Sequence, residues 1–444
     1  MNAVLLILCL ITLYLCPVLY PSLSSFTAYF FCSNDNKPVA NTLLISSAIC
    51  SALICATIIP RSDTLSYIES YKDSIRNSNL FETWTSGGFE PLYKVYEYLV
   101  GCIVGDKEKA FLLVTSLIIH LLFTLGTIRL CNRLNNFKVA CIILACQHSL
   151  VAPSMGVPLF LLRSSLSLSL MLFAISFYKQ KTSIFYLLSI AAVFTHYTTI
   201  FIFLPIIIQD ILKLFGRSIK PFVSKKYYKW LKMKIWRKTG VPLFVLCSMI
   251  FIFNILVPQI TISFLGDFIS RFGTSDAVGA EKSTYFLEQK NVSTFLDLSN
   301  PVFITNIIIC SLCFLDFSKT SISKFVDTGK VNTSSGLLDA LRLVGRSQMI
   351  LIFLTLPFSI MPYRLGLFNF LFFPIWLINI PFLILPLFPK ILFKRLIIIS
   401  LVSIVSFAGY RLPKTQDRGD TGGVVVLDSK PFEYKFTDLI SFFL

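Results

Sequence analysis

Residues 184–208 read IFYLLSIAAVFTHYTTIFIFLPIII, 25 positions without an Asp, Glu, Lys or Arg. Wound as a helix, a run of roughly 17 to 25 apolar residues crosses the ~30 Å hydrocarbon layer of a bilayer. Comparable runs recur from residues 3–20 to residues 396–409. Of the 444 residues, 55% are hydrophobic, 43 are Phe and 14% are charged, against about 25% charged in soluble domains. A water-soluble globule is excluded. The runs contain Gly, Pro, Ser and Cys and lack the roughly ten-residue in-and-out alternation of a membrane barrel. In hydrocarbon, each peptide group must then find its partner within its own helix. The expected class is all-α, a polytopic transmembrane helical bundle.

The first basic residue is Lys37. Residues 3–20 therefore lack the positive n-region of a signal peptide and are expected to stay as the first span. About twelve spans are expected, near 3–20, 40–59, 110–128, 139–157, 163–178, 182–195, 197–212, 241–263, 301–316, 347–361, 366–386 and 396–409. With the N-terminus extracytoplasmic, the cytoplasmic pieces hold 24 of the 40 basic residues but 5 of the 23 acidic ones. The net charge of +17 is thus an orientation signal of the positive-inside kind. Residues 184–208 fit this scheme only as a hairpin turning near His196. One continuous helix would carry either Lys179 and Lys181 or the basic loop 213–238 to the wrong face. Each arm is then about 16 residues, or ~24 Å, too short for the full core. The turn is expected to be sunk below the outer surface, lining a cavity.

The organisation expected is one transmembrane domain over 1–409 and an extracytoplasmic tail over 410–444, with extracytoplasmic loops at 60–109 and 264–300. Tyr227, Tyr228, Trp230 and Trp236 interleave with the basic residues of the cytoplasmic loop 213–238. That pattern suits a segment lying on anionic membrane lipid and not a nucleic-acid partner. In the first loop, Pro91 is placed to open a short Tyr-rich interfacial helix over 92–104. The twelve Cys fall mostly in apolar runs and read as small packing residues, as do Cys310 and Cys313 despite their redox-like spacing.

Ionisable groups at membrane depth are costly and mark sites or pathways. On this topology Arg61, Asp63, Glu90, Arg163, His196, Arg271 and Arg364 all fall at extracytoplasmic helix ends or in adjoining loops. Four of them have a plain alternative: snorkelling for Arg163, packing for His196, solvation for Asp63 and Glu90. Together they offer guanidinium groups for phosphate oxygens and an imidazole or carboxylate to accept a proton. His120 and His148 read as structural. There is no P-loop, no G-x-G-x-x-G in a strand-to-helix setting, no D-x-D pair and no H-E-x-x-H. A nucleotide- or metal-dependent reaction is therefore not expected, and no cofactor is assigned.

The order of these residues resembles a known pattern. It runs Arg61-Ser62-Asp63 with Tyr67 and Tyr71, then Gly88-Phe89-Glu90-Pro91-Leu92-Tyr93, then Arg163 opening a Ser/Leu-rich helix. Ala191 to Thr198 (AAVFTHYT) follows, and late in the chain Tyr363-Arg364. In this it is similar to the EpsG-like branch of bacterial Wzy-type polysaccharide polymerases, over roughly residues 50 to 210 with a weaker echo near Arg364. Ser164 stands where that family commonly has Gln, and Thr198 where it has Ser. The resemblance implies a GT-C-like, multi-pass protein of the bacterial plasma membrane that joins undecaprenyl-diphosphate-linked oligosaccharide repeat units outside the cell. The flippase and chain-length regulator of the same pathway are its implied partners. Arg163 and Arg364, with Arg61, would bind the diphosphate. His196 or Glu90 would deprotonate the acceptor hydroxyl, and Asp63 would bind sugar or orient the base. Attack opposite the diphosphate implies inversion. An O-antigen ligase-like transferase and a lipid-linked oligosaccharide flippase are the competing readings.

Overall fold

The structure, a computed structural model, describes residues 2–32, 36–57, 60, 63–76, 79–86, 90–134, 137–149, 157–219, 249, 250, 252, 253, 331–355, 361–379 and 435–443. Every element among them is helical. In chain order these are α1 (Asn2–Leu15), α2 (Tyr20–Phe30), α3 (Lys37–Ala56), α4 (Asp63–Arg76), α5 (Leu80–Ser86), α6 (Pro91–Val104), α7 (Glu108–Arg133) and α8 (Phe137–Ser149). There follow α9 (Val157–Phe160), α10 (Leu162–Ile175), α11 (Thr182–Thr195), α12 (Ile200–Ile219), α13 (Val331–Leu354), α14 (Met361–Leu371) and α15 (Phe436–Phe443). The chain divides into two units, the first of residues 1–199, 325–337 and 380–444, the second of residues 200–324 and 338–379.

In the first unit, α3 and α7 are the two described helices both long and apolar enough to cross a membrane. At 1.5 Å per residue their 20 and 26 residues reach about 30 and 39 Å. The shorter apolar helices α1, α8, α10 and α11 accompany them. Of the expected spans, 301–316 and 396–409 lie outside the described residues, as does nearly all of 241–263. A Cβ placed on Gly126 of α7 would lie 3.1 Å from the Cα of Phe173 on α10. The two backbones approach closely at that point because glycine leaves room, a common device between membrane helices.

Polar contacts fix the directions of these helices. Arg133 and Arg129, late in α7, donate to Ser176 O and Gln180 Oε1, both at 2.8 Å, just beyond the end of α10. Helices α7 and α10 therefore run the same way. Lys37, opening α3, reaches Asn132 Oδ1 at 3.4 Å and lies over the Phe137 ring. Lys138 lies over the ring of Tyr29 on α2. Lys37, Arg129, Arg133 and Lys138 thus share one end of the unit, as the charge pattern required.

The stretch expected as the first span, 3–20, is helical over Asn2–Leu15 and then turns, and α2 begins at Tyr20. Pro17 cannot donate a backbone bond and restricts the residue before it, so α1 stops at Leu15. The chain then turns back on itself: Cys9 Sγ bonds Thr27 Oγ1 at 3.3 Å, and Leu13 and Leu23 share one apolar cluster. This hairpin returns the start of α1 toward the end of α2, so the chain begins at the basic end and not at the opposite one. The amphipathic α15 joins the same cluster through Leu439 and Phe436, and its Phe442 carbonyl accepts from Lys109 at 2.8 Å.

Residues 60–109 also hold more structure than expected. The helix opened by Pro91 is present as α6, but α4 runs beside it in the same direction. Tyr67 faces Tyr93, Ser74 meets Glu97, and Ile75 lies against Gly101. In the second unit, the Phe201 carbonyl of α12 accepts from Gln348 of α13 at 3.2 Å, and Phe368 of α14 packs edge-on to the buried Trp376.

Candidate functional site

Three helix termini of the first unit meet at the end opposite the basic one. Glu90 is the residue before α6, with extended-side backbone angles (φ −125°, ψ 51°), and Pro91 behind it fixes the helix start. Its carboxylate makes no capping bond to its own helix and turns outward instead. Arg163 is the second residue of α10. His196 terminates α11 in an extended conformation (φ −156°, ψ 116°), with its N–H still bonded to Ala192 O at 3.0 Å. The expected break in 184–208 is thus present at His196, where the helix gives way to a short 3₁₀ turn over Tyr197–Thr199.

One carboxylate joins all three. Arg163 Nη1 lies 2.5 Å from Glu90 Oε2, and His196 Nδ1 bonds the other oxygen, Oε1. The Glu90 and His196 side chains are 9% and 5% exposed, while Arg163 keeps 36% of its surface open. The guanidinium also lies 5.3 Å from the Tyr67 ring and 5.8 Å from the Tyr93 ring, within cation–π range. A carboxylate held by a guanidinium is ionised and can only accept, so the proton of the short contact belongs to His196 Nδ1. In the neutral imidazole with Nδ1 donating, Nε2 carries the lone pair. It is buried and without a hydrogen-bond partner among the described residues. The arrangement can take a proton at Nε2 and stabilise the resulting imidazolium with Glu90.

Ser167 of α10 steadies this corner. Its Oγ donates to Ala192 O at 2.7 Å, the same carbonyl that caps His196, and it also bonds the Thr199 hydroxyl. Neither Ser167 nor Thr199 was expected from the sequence to matter. Two more residues went unexpected, Glu97 and Lys94. Glu97 is fully buried between α4 and α6, accepting from Ser70 (2.8 Å) and Ser74 (2.7 Å) and pairing with Lys94 at 3.2 Å. Burial, with Glu97 and Tyr67 adding to it, raises the Tyr93 phenol well above its usual range. Burial together with Asp106 and Glu97 pushes Tyr71 up to about 12. Both phenols therefore remain neutral donors at physiological pH.

Among the described residues, no hydrogen bond or ion pair joins Asp63 to this cluster. Asp63 is the first residue of α4, where a carboxylate suits the helix N-terminus, and it joins no ion pair among the described residues. Arg61 lies outside the described residues. Arg364 sits on α14 of the second unit. His120 and His148 are interior packing groups: His148 bonds Ser51 and Ser47, and His120 bonds Ser116 O. Among the described residues, no group of three or more His, Cys, Asp or Glu side chains is placed to hold a metal.

Apolar helices around an ion-paired Arg–Glu–His chain, with the Glu and His buried, define an all-helical membrane protein with a polar site at one end of its first unit. The EpsG family model matches residues 41–418, and the chain belongs to the EpsG family. That places it among membrane proteins of polysaccharide biosynthesis. No curated protein and no solved structure matches the chain. The match leaves α1, α2 and α15 outside the shared core and encloses every expected site residue.

Proposed function

We propose that the protein is a polysaccharide polymerase, a multi-pass glycosyltransferase of about twelve spans in the bacterial plasma membrane. It joins undecaprenyl-diphosphate-linked oligosaccharide repeat units on the extracytoplasmic face. The acceptor sugar hydroxyl gives its proton to His196 Nε2 as its oxygen attacks the anomeric carbon of the donor glycan. The bond from that carbon to the diphosphate breaks, and undecaprenyl diphosphate leaves with the electron pair. Attack from the opposite side inverts the anomeric centre. Glu90 is a positioning residue: it holds the Nδ1 proton and balances the charge that His196 gains. Arg163, partly open to solvent while paired with Glu90, offers its remaining edge to the diphosphate, with Arg61 and Arg364 assigned to the same anion. Asp63 is assigned to the sugar. Neither nucleotide nor metal enters this chemistry.

The observation that supports this reading is the buried His196 Nε2, without a hydrogen-bond partner among the described residues, on a ring whose Nδ1 meets the Glu90 carboxylate. The test is complementation of a strain deleted for the gene, reading the glycan ladder. His196→Ala should leave single repeat units, and Arg163→Lys should shorten the ladder. Full-length ladders from both variants would overturn the assignment. Loss of a ligase would leave long unattached chains, and loss of a flippase would leave repeat units facing the cytoplasm. A cysteine introduced at Thr198 should react with an impermeant reagent from outside the cell; labelling only from the cytoplasm would reject the sidedness.

A further inference from the structure

At the basic end of the first unit, Cys32, just past α2, faces Cys141 on α8 with 3.6 Å between the sulfurs. Both thiols are free. Cys141 is fully buried, whereas Cys32 is partly exposed. The setting is electropositive: Lys37 and Lys138 are close enough to act on Cys32, and each is anchored over a ring, Lys37 on Phe137 and Lys138 on Tyr29. The Cys141 thiol and these two ammonium groups draw the Cys32 thiol below its ordinary range, against the opposing effect of burial. A partly exposed thiol in an electropositive setting, in contact with a second cysteine, is the arrangement of a thiol that oxidises reversibly.

We infer that Cys32 and Cys141 form a reversible disulfide when the protein meets a peroxide, Cys32 acting as the reacting thiol and Cys141 as the resolving one. The Cys32 thiolate attacks one peroxide oxygen, breaking the O–O bond, and becomes a sulfenic acid as hydroxide leaves. The Cys141 sulfur then attacks the Cys32 sulfur, the S–O bond breaks, and the departing oxygen leaves as water with the Cys141 proton. Two thiols are oxidised and one peroxide is reduced. The bond would tie α2 to α8 at the basic end. Those helices are already joined near their other ends, where Ser22 Oγ bonds Ser149 Oγ at 2.6 Å. The positive-inside rule puts the basic end in the cytoplasm, where thiols are kept reduced, so the link forms on oxidation and is removed on recovery. This pairing is independent of the polymerase reading.

The experiment uses the full chain, reduced and purified in detergent, exposed to hydrogen peroxide, alkylated and digested for mass spectrometry. The expected result is loss of the Cys32 and Cys141 thiols together, a linked peptide joining those positions, and recovery of both with dithiothreitol. In Cys141→Ser, Cys32 should be trapped as a dimedone adduct; in Cys32→Ser, Cys141 should stay a free thiol. Three outcomes would overturn the inference: both cysteines still alkylated after peroxide, Cys32 linked to a different cysteine such as the nearby Cys131, or the exposed, unpaired Cys102 oxidised before Cys32.

Discussion

The two ends of the first unit use their charged groups in opposite ways. At the basic end Lys37, Arg129 and Arg133 bond side-chain or backbone oxygens of neutral partners, Asn132, Gln180 and Ser176. Among the described residues no ion pair joins Lys37 or Arg129 to a carboxylate. Such cations set orientation by their summed charge, and no single one is decisive. At the opposite end the buried charges are paired: Arg163 to Glu90, Glu90 to His196, Lys94 to Glu97. Matched, buried charges are expensive to disturb one at a time. The pairing, more than the number of charges, separates a site from an address.

The largest effects should therefore come from the paired end. His196→Ala should reduce glycan polymerisation about 10²- to 10⁴-fold, the usual contribution of a positioned acid or base, measured as polymer formed per unit of protein in membranes supplied with lipid-linked repeat units. Glu90→Gln keeps an acceptor for Nδ1 but removes the charge. It should lower activity less and also cost about 2 kcal/mol of stability, below the ~3–5 of a fully buried pair because Arg163 is 36% exposed. A Glu90→Gln protein that melts normally and polymerises fully would end the contrast between the two ends. Next in size, Lys94→Met leaves Glu97 buried with only Ser70 and Ser74 to bond it. A loss of about 1–3 kcal/mol is expected, read as a lower midpoint in thermal unfolding of the detergent-solubilised protein.

Parts of this were open to reading from residue order and parts were not. Pro91 marks a helix start without help from tertiary contacts, and the charge balance alone demanded a break near His196. The meeting of Glu90 with Arg163 and His196, 73 and 106 positions away in sequence, depends on which helix ends come together, and nothing local encodes that. Helix α4 was hidden because its buried stripe is built of Tyr67, Tyr71 and Ser74, residues that look like those of a solvated loop. Lys94 and Glu97 read as an ordinary surface pair three residues apart, yet Glu97 is fully buried. The first helix ends five residues before the expected bound of 20 because an apolar count does not register what Pro17 does to a helix.

A smaller effect tests the contact that ties the ends together. Gly126 sits between them, where a Cβ would lie 3.1 and 3.2 Å from the Phe173 backbone. Backbone atoms cannot rotate away, so Gly126→Ala must part α7 and α10 slightly. It should cost about 1–2 kcal/mol, with a modest drop in activity as Arg163 shifts with its helix. Gly126→Leu should cost more, and equal stability for both variants would show that the two helices are not closely packed there.

The smallest effect is expected at the basic end, and its smallness is informative. Lys37 donates one long bond, 3.4 Å to Asn132, and rests on Phe137. Lys37→Gln removes a cation whose partner is neutral, so no buried charge is orphaned and stability should change by no more than about 0.5 kcal/mol. Polymerisation should be unchanged. Orientation should hold as well, because Arg129, Arg133 and Lys138 remain at the same end, whereas replacing all four should alter it. A single Lys37→Gln that abolished chain growth would mean that the basic end takes part in the chemistry, and the separation of site from address drawn from the pairing of charges would be lost.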